Sequence, residues 1–194
     1  MIVATLIPAL DPAKWKPDDV LKAAALLGAA IAFAIGLLQY RKAQRWKRAE
    51  WVAQEMKTLF ADPMVQAALF MIDWDAAYES ELFHNRPHQP DEKLLDKARI
   101  NAALAPHADR PGGFDDVERK MRAAFDRFFD GLERFSAYVD TNLVKDEDLK
   151  PYLTYWSEKI CYDEAGRNSR ANHLRVYMST YGFRNALQLL GRLR

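Results

Sequence analysis

The sequence has little of what builds covalent or metal frameworks. It holds one cysteine among 194 residues, Cys161, which excludes a disulfide within the chain. Cys161 stands between Ile160 and Tyr162, neither of which is a histidine or a basic residue that would favour its thiolate. We therefore interpret Cys161 as a buried packing residue and not as a nucleophile.

The signature motifs of common enzymes are also missing. The chain has no Walker-type loop, no glycine-rich dinucleotide fingerprint, no HExxH, no cysteine pair and no ordered Ser/His/Asp series. Gly112 and Gly113 follow Pro111 and predict only a turn. The sequence thus predicts no catalytic residue, no cofactor and no metal, and we expect a non-enzymatic protein.

Charges of one sign are missing from two stretches, although the net charge is only +1. Residues 41–48 carry +5 without an acid, residues 49–164 carry −10, and residues 165–194 carry +6 without an acid. Hydrophobic residues make up 49% of the chain, which is enough for a packed core and excludes general disorder.

One long apolar run stands near the N-terminus. Every residue from 23 to 38 is apolar or small, and extension to residue 20 adds one charge, Lys22. About 20 such residues cross a bilayer core, and Lys22 is near enough to the end to snorkel. Trp15, Tyr40 and Trp46 flank the run as an aromatic belt does.

We therefore predict a transmembrane helix over residues 18–40. A buried, alanine-rich core helix is the alternative interpretation. A cleavable signal peptide is not favoured, because no small-residue cleavage pattern precedes a polar start. Ala24, Gly28, Ala32 and Gly36 recur every fourth residue, a spacing that lets two helices approach closely in lipid and predicts a homo-oligomer.

The basic residues after the run predict its orientation, because lysine and arginine stay on the cytoplasmic side. We expect an extracytoplasmic tail over 1–17, a juxtamembrane basic helix over 41–62 and a cytoplasmic domain over 63–194, at a bacterial inner membrane. Beside an anionic leaflet each cation gains about 1 kcal/mol. The predicted lipid and topology residues are Lys22, Arg41, Lys42, Arg45, Trp46, Lys47 and Arg48.

The rest of the chain has helical periodicity and no alternating strand pattern. The first helix is expected from about 18 to 60, before a stop at Asp62 and Pro63. The strongest amphipathic pattern is a heptad-like seam within residues 114–143, formed by Val117, Met121, Phe125, Phe128, Leu132, Phe135 and Val139. Gly131 lies inside this pattern, where it would admit a close neighbour, and Gly182 would kink the last helix. Further helices are predicted over residues 63–83, 91–104, 114–143, 145–162 and 169–192. The fold class is all-α, with the transmembrane helix continuing into a bundle of about five further helices.

Several segments together are similar to a known group of proteins. They are residues 40–51 directly after the span, Asp73-Trp74, Phe128-Phe129 with Phe135, and residues 149–156. With these the chain resembles an uncharacterised family of bacterial single-pass membrane proteins with a cytoplasmic helical domain of unknown function. The resemblance implies an architecture and no activity.

Three clusters have a chemical interpretation beside a structural one. His84, His88 and Asp91 have ligand chemistry but lie in a proline-rich loop, so solvated histidines are favoured. Four acids on the predicted second helix suit acid/base or cation chemistry, yet a solvated or arginine-paired face is favoured. These acids are Asp73, Asp75, Glu79 and Glu81.

The acid-free end interleaves arginines with aromatic residues, as nucleic-acid and lipid-binding surfaces do. Internal pairing with the acidic helices is favoured, and nucleic acid is not expected as a partner. The arginines are Arg167, Arg170, Arg175, Arg184, Arg192 and Arg194.

The leading hypothesis is a membrane-anchored interaction or scaffold module with the lipid bilayer, a second copy and a cytoplasmic protein as partners. One alternative is a membrane-perturbing effector of a stress or phage-defence system. Another is an enzyme that uses the acidic cluster.

Overall fold

The computed structural model describes residues 16–162 and 169–193, of which 78% are helical and few are in strands. Within these residues the all-α prediction is confirmed, but seven α-helices follow the first where about five were expected. Their bounds are α1 Pro17–Ala61, α2 Pro63–Asp73, α3 Glu79–His84, α4 Lys97–Ala103, α5 Asp116–Asp140, α6 Asp146–Ser157, α7 Arg170–Thr180 and α8 Arg184–Arg192. A 3-10 turn at His107–Asp109 and a π-helical turn at Glu158–Tyr162 complete the helical part.

The chain divides into two compact units between Lys47 and Arg48. Residues 48–61 of α1 thus belong to the second unit. There Val52, Met56 and Leu59 are buried, whereas α1 before Lys47 has no buried residue among those described.

The turn between α1 and α2 follows from local sequence. The Asp62 carboxylate accepts the Met64 N–H at 2.9 Å, and Pro63 occupies the first helical position, where its missing N–H costs nothing. The Asp62 carboxylate also accepts from Arg127 of α5 at 2.7 Å. Asp62 therefore joins the turn to the central helix.

Helix α5 is the centre of the second unit. The predicted seam residues Met121, Phe125, Phe128, Leu132 and Phe135 are each at most 1% exposed, whereas Val117 and Val139 at its ends are partly buried. Phe129, outside the seam, is equally buried and packs against rings of α7 and the loop before α8. The core thus surrounds more of α5 than a single seam would require.

The predicted helix over 63–83 is wrong in its middle. Helix α2 ends at Asp73, Trp74 is extended, and Ala77–Tyr78 forms strand β1 before α3 begins. Strand β1 pairs antiparallel with β2, Leu94–Leu95, in the register Ala77↔Leu95. The helix predicted over 91–104 is correspondingly shortened to α4. These strands have two residues each, too few to produce an alternating pattern.

The predicted helix over 169–192 is two helices. The chain turns at residues 181–183, where Gly182 has φ +93°. That conformation favours glycine, so Gly182 breaks the helix where a kink was expected.

Candidate functional site

The apolar part of α1 is uncovered on every side. Leu26 and Phe33 are 73% and 74% exposed, and none of the most apolar stretch of the helix is buried. Among the described residues this is one helix long and apolar enough to cross a membrane, which makes it a candidate span. Lys22, near the start, is exposed.

The small residues predicted to pack in the membrane share one open face of α1. Ala24, Gly28, Ala32 and Gly36 are exposed, and a Cβ added at either glycine would meet nothing within 4 Å. The face has room for a second helix, and oligomerisation through it stays a prediction.

The basic block, as we call residues 41–48, is exposed except at its last residue. Arg41, Lys42, Arg45, Trp46 and Lys47 are exposed, and their place beside lipid stays a prediction. Arg48 is different. Its Nε lies 2.6 Å from Asp148 Oδ2 of α6, so this cation is used in packing of the second unit.

The four acids of the predicted second helix do not form one cluster. Asp73 ends α2, Asp75 follows it, and Glu79 and Glu81 lie on α3. Each has a basic partner, which favours a structural role over acid/base chemistry. The partners are Lys159 for Asp73 at 3.0 Å, Lys97 for Asp75 at 3.3 Å, Lys120 for Glu79 at 2.6 Å and His88 for Glu81 at 3.1 Å.

Asp73 has a second partner, the Tyr155 hydroxyl, which donates to it. The hydrogen bonds from Tyr155 and Lys159 outweigh burial and hold the pKa of Asp73 below 3.8. The same carboxylate raises the pKa of Tyr155. The raised pKa keeps the Tyr155 phenol protonated as the donor of this hydrogen bond, which favours a structural role for the group.

Of the histidines in the proline-rich loop, His84 is exposed and His88 has structural contacts. The ring of His88 stacks on Tyr78 with centroids 4.1 Å apart, and its Nδ1 contacts Glu81. Glu92 closes the loop by accepting from the Ser80 N–H and hydroxyl, both at 2.7 Å. Within residues 16–162 and 169–193 no group of three or more His, Cys, Asp or Glu could hold a metal ion.

Among the described arginines near the end of the chain, two donate hydrogen bonds inside the protein. Arg170 is 6% exposed; its Nε donates to Asn101 Oδ1 at 2.6 Å and its Nη1 donates to the Met71 carbonyl. Arg175 donates to the carbonyls of Ile160 and Cys161, each at 3.1 Å.

Of the remaining four, Arg192 lies 3.8 Å from Asp146 and 4.0 Å from Asp140. Arg184 is exposed. Arg167 and Arg194 lie outside the described residues.

A buried arginine that no sequence pattern indicated stands at the centre of an aromatic box. The guanidinium carbon of Arg122 lies 4.2, 4.8 and 4.7 Å from the ring centroids of Phe114, Tyr177 and Tyr181. Its Nη1 donates to the carbonyls of Ala103 at 2.7 Å and Ala105 at 3.0 Å. The only signal in the sequence is a charge on the apolar seam side of α5, which is too common to predict such a site.

The outward face of α2 is the other feature that the sequence did not reveal. Pro63, Gln66 and Phe70 are exposed along it, and Trp74 continues it at the C-cap. The Phe70 and Trp74 rings stack with centroids 6.0 Å apart. This aromatic face, as we call it, adjoins a groove of about 600 Å³ between α2 and α3.

No family model, curated protein or solved structure matches the chain. The resemblance to a family of single-pass membrane proteins therefore stays a prediction.

Proposed function

We propose that the protein is a membrane-anchored, non-enzymatic interaction module, held by α1 at the cytoplasmic face of a bacterial inner membrane. One observation carries the proposal, namely the long apolar stretch of α1 that no part of the described chain covers. Leaving so many leucine, isoleucine and phenylalanine side chains in water is unfavourable, whereas a bilayer buries them without further protein.

The proposed orientation is supported by the exposed cations of the basic block. Arg41, Lys42, Arg45 and Lys47 follow the apolar stretch at once and carry +4 without an acid. Their number exceeds that of the basic residues before the stretch, which favours the C-terminal unit inside. Alkaline phosphatase fused after residue 194 should be inactive and fluorescent protein fused there active, and the reverse pattern would contradict the orientation.

The module interpretation is supported by what the polar groups of the second unit do. The four acids of the predicted second helix are bound to lysine, histidine or tyrosine. The buried arginines are bound to carbonyls or aromatic rings. Affinity purification of the full chain in mild detergent, followed by mass spectrometry, should identify a protein partner. Recovery of the chain with nothing but itself and lipid would remove the cytoplasmic partner from the proposal.

Anchoring is tested by placing charge at the centre of the proposed span. The large apolar residues of the span contribute about −0.3 to −0.6 kcal/mol each, a few kcal/mol together, whereas one central arginine costs about 2.5–3.5 kcal/mol. Leu27→Arg combined with Ile31→Arg should therefore move the protein from the carbonate-resistant membrane fraction to the soluble or aggregated fraction. Gln44→Arg, a charge added in the basic block, is the matched control and should stay in the membrane. Equal membrane retention of the double variant would refute anchoring by α1.

A further inference from the structure

The proline-rich loop runs from the end of α3 to β2 and contains the one P-x-x-P sequence of the chain, Pro87-His88-Gln89-Pro90. A proline fixes its own φ at about −65° and disfavours a helical conformation in the residue before it. Covalent chemistry therefore directs Arg86, Pro87, Gln89 and Pro90 to the extended polyproline II region. A polyproline II helix has three residues per turn, which places the two prolines on one side of the segment.

The middle residue of this segment faces the protein. The ring of His88 stacks on Tyr78 with centroids 4.1 Å apart, and its Nδ1 lies 3.1 Å from Glu81 Oε1. Because His88 follows Pro87 by one third of a turn, its inward contacts leave the side that carries both prolines free. All residues from 84 to 91 are exposed, so the prolines are open to a partner.

Hydrogen bonds fix both ends of the segment. The Arg86 N–H donates to the Ser80 carbonyl at 3.2 Å. The Glu92 N–H donates to the Gln89 carbonyl at 3.0 Å, which closes a turn with Pro90 in its second position. The Glu92 carboxylate in turn accepts from the Ser80 N–H and hydroxyl, both at 2.7 Å. A segment held in one conformation before binding loses less entropy when it binds.

We propose that the proline-rich loop is the docking site for the cytoplasmic partner, and that this partner is a protein with an aromatic-lined groove that binds polyproline II segments. Grooves of that kind take P-x-x-P segments because the conformation is preformed and the proline rings pack on aromatic side chains. The inference rests on the proposed interaction module, whose partner it describes by its chemistry.

A charge beside the prolines adds a second requirement for the partner. Arg86, directly before Pro87, is exposed, and within the described part of the chain its side chain forms no ion pair. Its guanidinium is therefore available to a carboxylate at the end of the partner's groove, where it would form a charge-assisted hydrogen bond.

Other partners fit the loop less well. Residues 85–93 contain two basic and two acidic side chains, so the loop has no net charge to attract nucleic acid or an anionic membrane. A metal ion is disfavoured, because the residues that the structure describes contain no group of three or more His, Cys, Asp or Glu that could hold one.

Photo-cross-linking of the full chain in cells of the native host tests the docking site. Gln89, which is exposed beside the prolines, is replaced by the photoreactive p-benzoyl-phenylalanine. Illumination should attach the loop to another protein, and mass spectrometry should locate the attachment in a peptide with tryptophan or tyrosine from the groove.

Variants of the same chain show whether the prolines carry the binding. Pro87→Ala with Pro90→Ala should reduce the adduct about fivefold or more, which corresponds to about 1 kcal/mol of lost binding energy. Pro111→Ala with Pro151→Ala, which changes two exposed prolines elsewhere, is the matched control and should leave the adduct unchanged. Thermal unfolding of each variant shows that it is folded.

The outcomes separate the docking site from the interaction module. If affinity purification in mild detergent recovers the same protein with the wild-type chain and with the Pro87/Pro90 variant, the docking site is wrong and the module stands. An attached peptide without aromatic residues, or an adduct only with lipid or with a second copy of the chain, would also overturn the docking site. If no protein is recovered with either chain, the module is wrong and the docking site is refuted with it.

Discussion

Gly131 is the position at which one added carbon should reveal most about the packing of the second unit. It is buried in α5, and a Cβ built there would lie 3.2 Å from Leu59 Cδ2 and 3.4 Å from Leu59 Cγ, with Cδ1 closer still. Leu59 is 5% exposed, and the nearest free space is the groove of about 940 Å³ that both residues line between α1 and α5.

We expect Gly131→Ala to cost about 1–3 kcal/mol by overpacking and to regain about 1 kcal/mol from the helix propensity of alanine. The net destabilisation is then about 0–2 kcal/mol. Leu59→Ala alone should cost about 2–5 kcal/mol, because it leaves a cavity. In that background Gly131→Ala meets no clash and should stabilise by about 1 kcal/mol.

Thermal unfolding of the four full-length proteins in detergent, followed by tryptophan fluorescence, measures this cycle, since 1 kcal/mol shifts Tm by about 2–4 °C at this chain length. Gly191→Ala is the matched control: nothing lies within 4 Å of its added Cβ, so it should stabilise whatever stands at residue 59. The same effect of Gly131→Ala in both backgrounds would refute the close contact.

Three further predictions concern other parts of the chain. Arg170→Lys should lower the free energy of unfolding by about 1–3 kcal/mol, because an ammonium group cannot replace both guanidinium hydrogen bonds; denaturant titration measures the loss, and an unchanged midpoint would contradict it. Burial raises the pKa of Asp126 above 3.8, although a tyrosine donates a hydrogen bond to its carboxylate. The ionised carboxylate therefore lowers the free energy of unfolding at pH values above the raised pKa, and this loss is absent below pH 3.8. Asp126→Asn should therefore raise Tm at pH 7, with a gain that disappears as the pH falls below 3.8. Gly28→Ile with Gly36→Ile should abolish self-association in a membrane two-hybrid assay. If the protein is a membrane-perturbing effector, the same variant should also abolish membrane depolarisation on overexpression. Unchanged association would refute packing through the small-residue face of α1.

The features that the sequence predicts correctly are those determined by residues close together in the chain. The seam of α5 repeats over six turns, which fixes the helix and its buried side without reference to other elements. The stop after α1 depends on Asp62 and Pro63 alone, whose capping chemistry is local. The close approach at Gly131 was expected from a glycine on a packed helix, but its partner, Leu59, was not.

The end of α2 could not be predicted, because its cause is distant in sequence. Residues 74–76 contain no glycine or proline, so nothing local stops the helix. In a longer helix the Met71 carbonyl would accept the N–H of Asp75, but in the structure it accepts from Arg170. Pairing of Ala77–Tyr78 with Leu94–Leu95 then holds the chain extended.

The candidate sites were assigned less well for the same reason. The sequence predicts the four acids on one helix, where their spacing suggests a cluster, yet their partners come from α4, α5, the π-helical turn and the proline-rich loop. The aromatic face was missed because a helical pattern tells which residues are apolar, and only the packed structure tells which apolar residues remain uncovered.

Three arginines donate hydrogen bonds to carbonyls at the ends of helical segments. Arg122 donates to carbonyls at the end of α4, Arg170 to one at the end of α2, and Arg175 to two in the π-helical turn. The last carbonyls of a helix have no donor within it and carry partial negative charge, so a guanidinium supplies both the hydrogen bonds and the favourable charge. Arginines interleaved with aromatic residues are a pattern of nucleic-acid surfaces as well as of such caps. Here Arg170 and Arg175 donate to backbone carbonyls, which favours the capping interpretation for these two arginines.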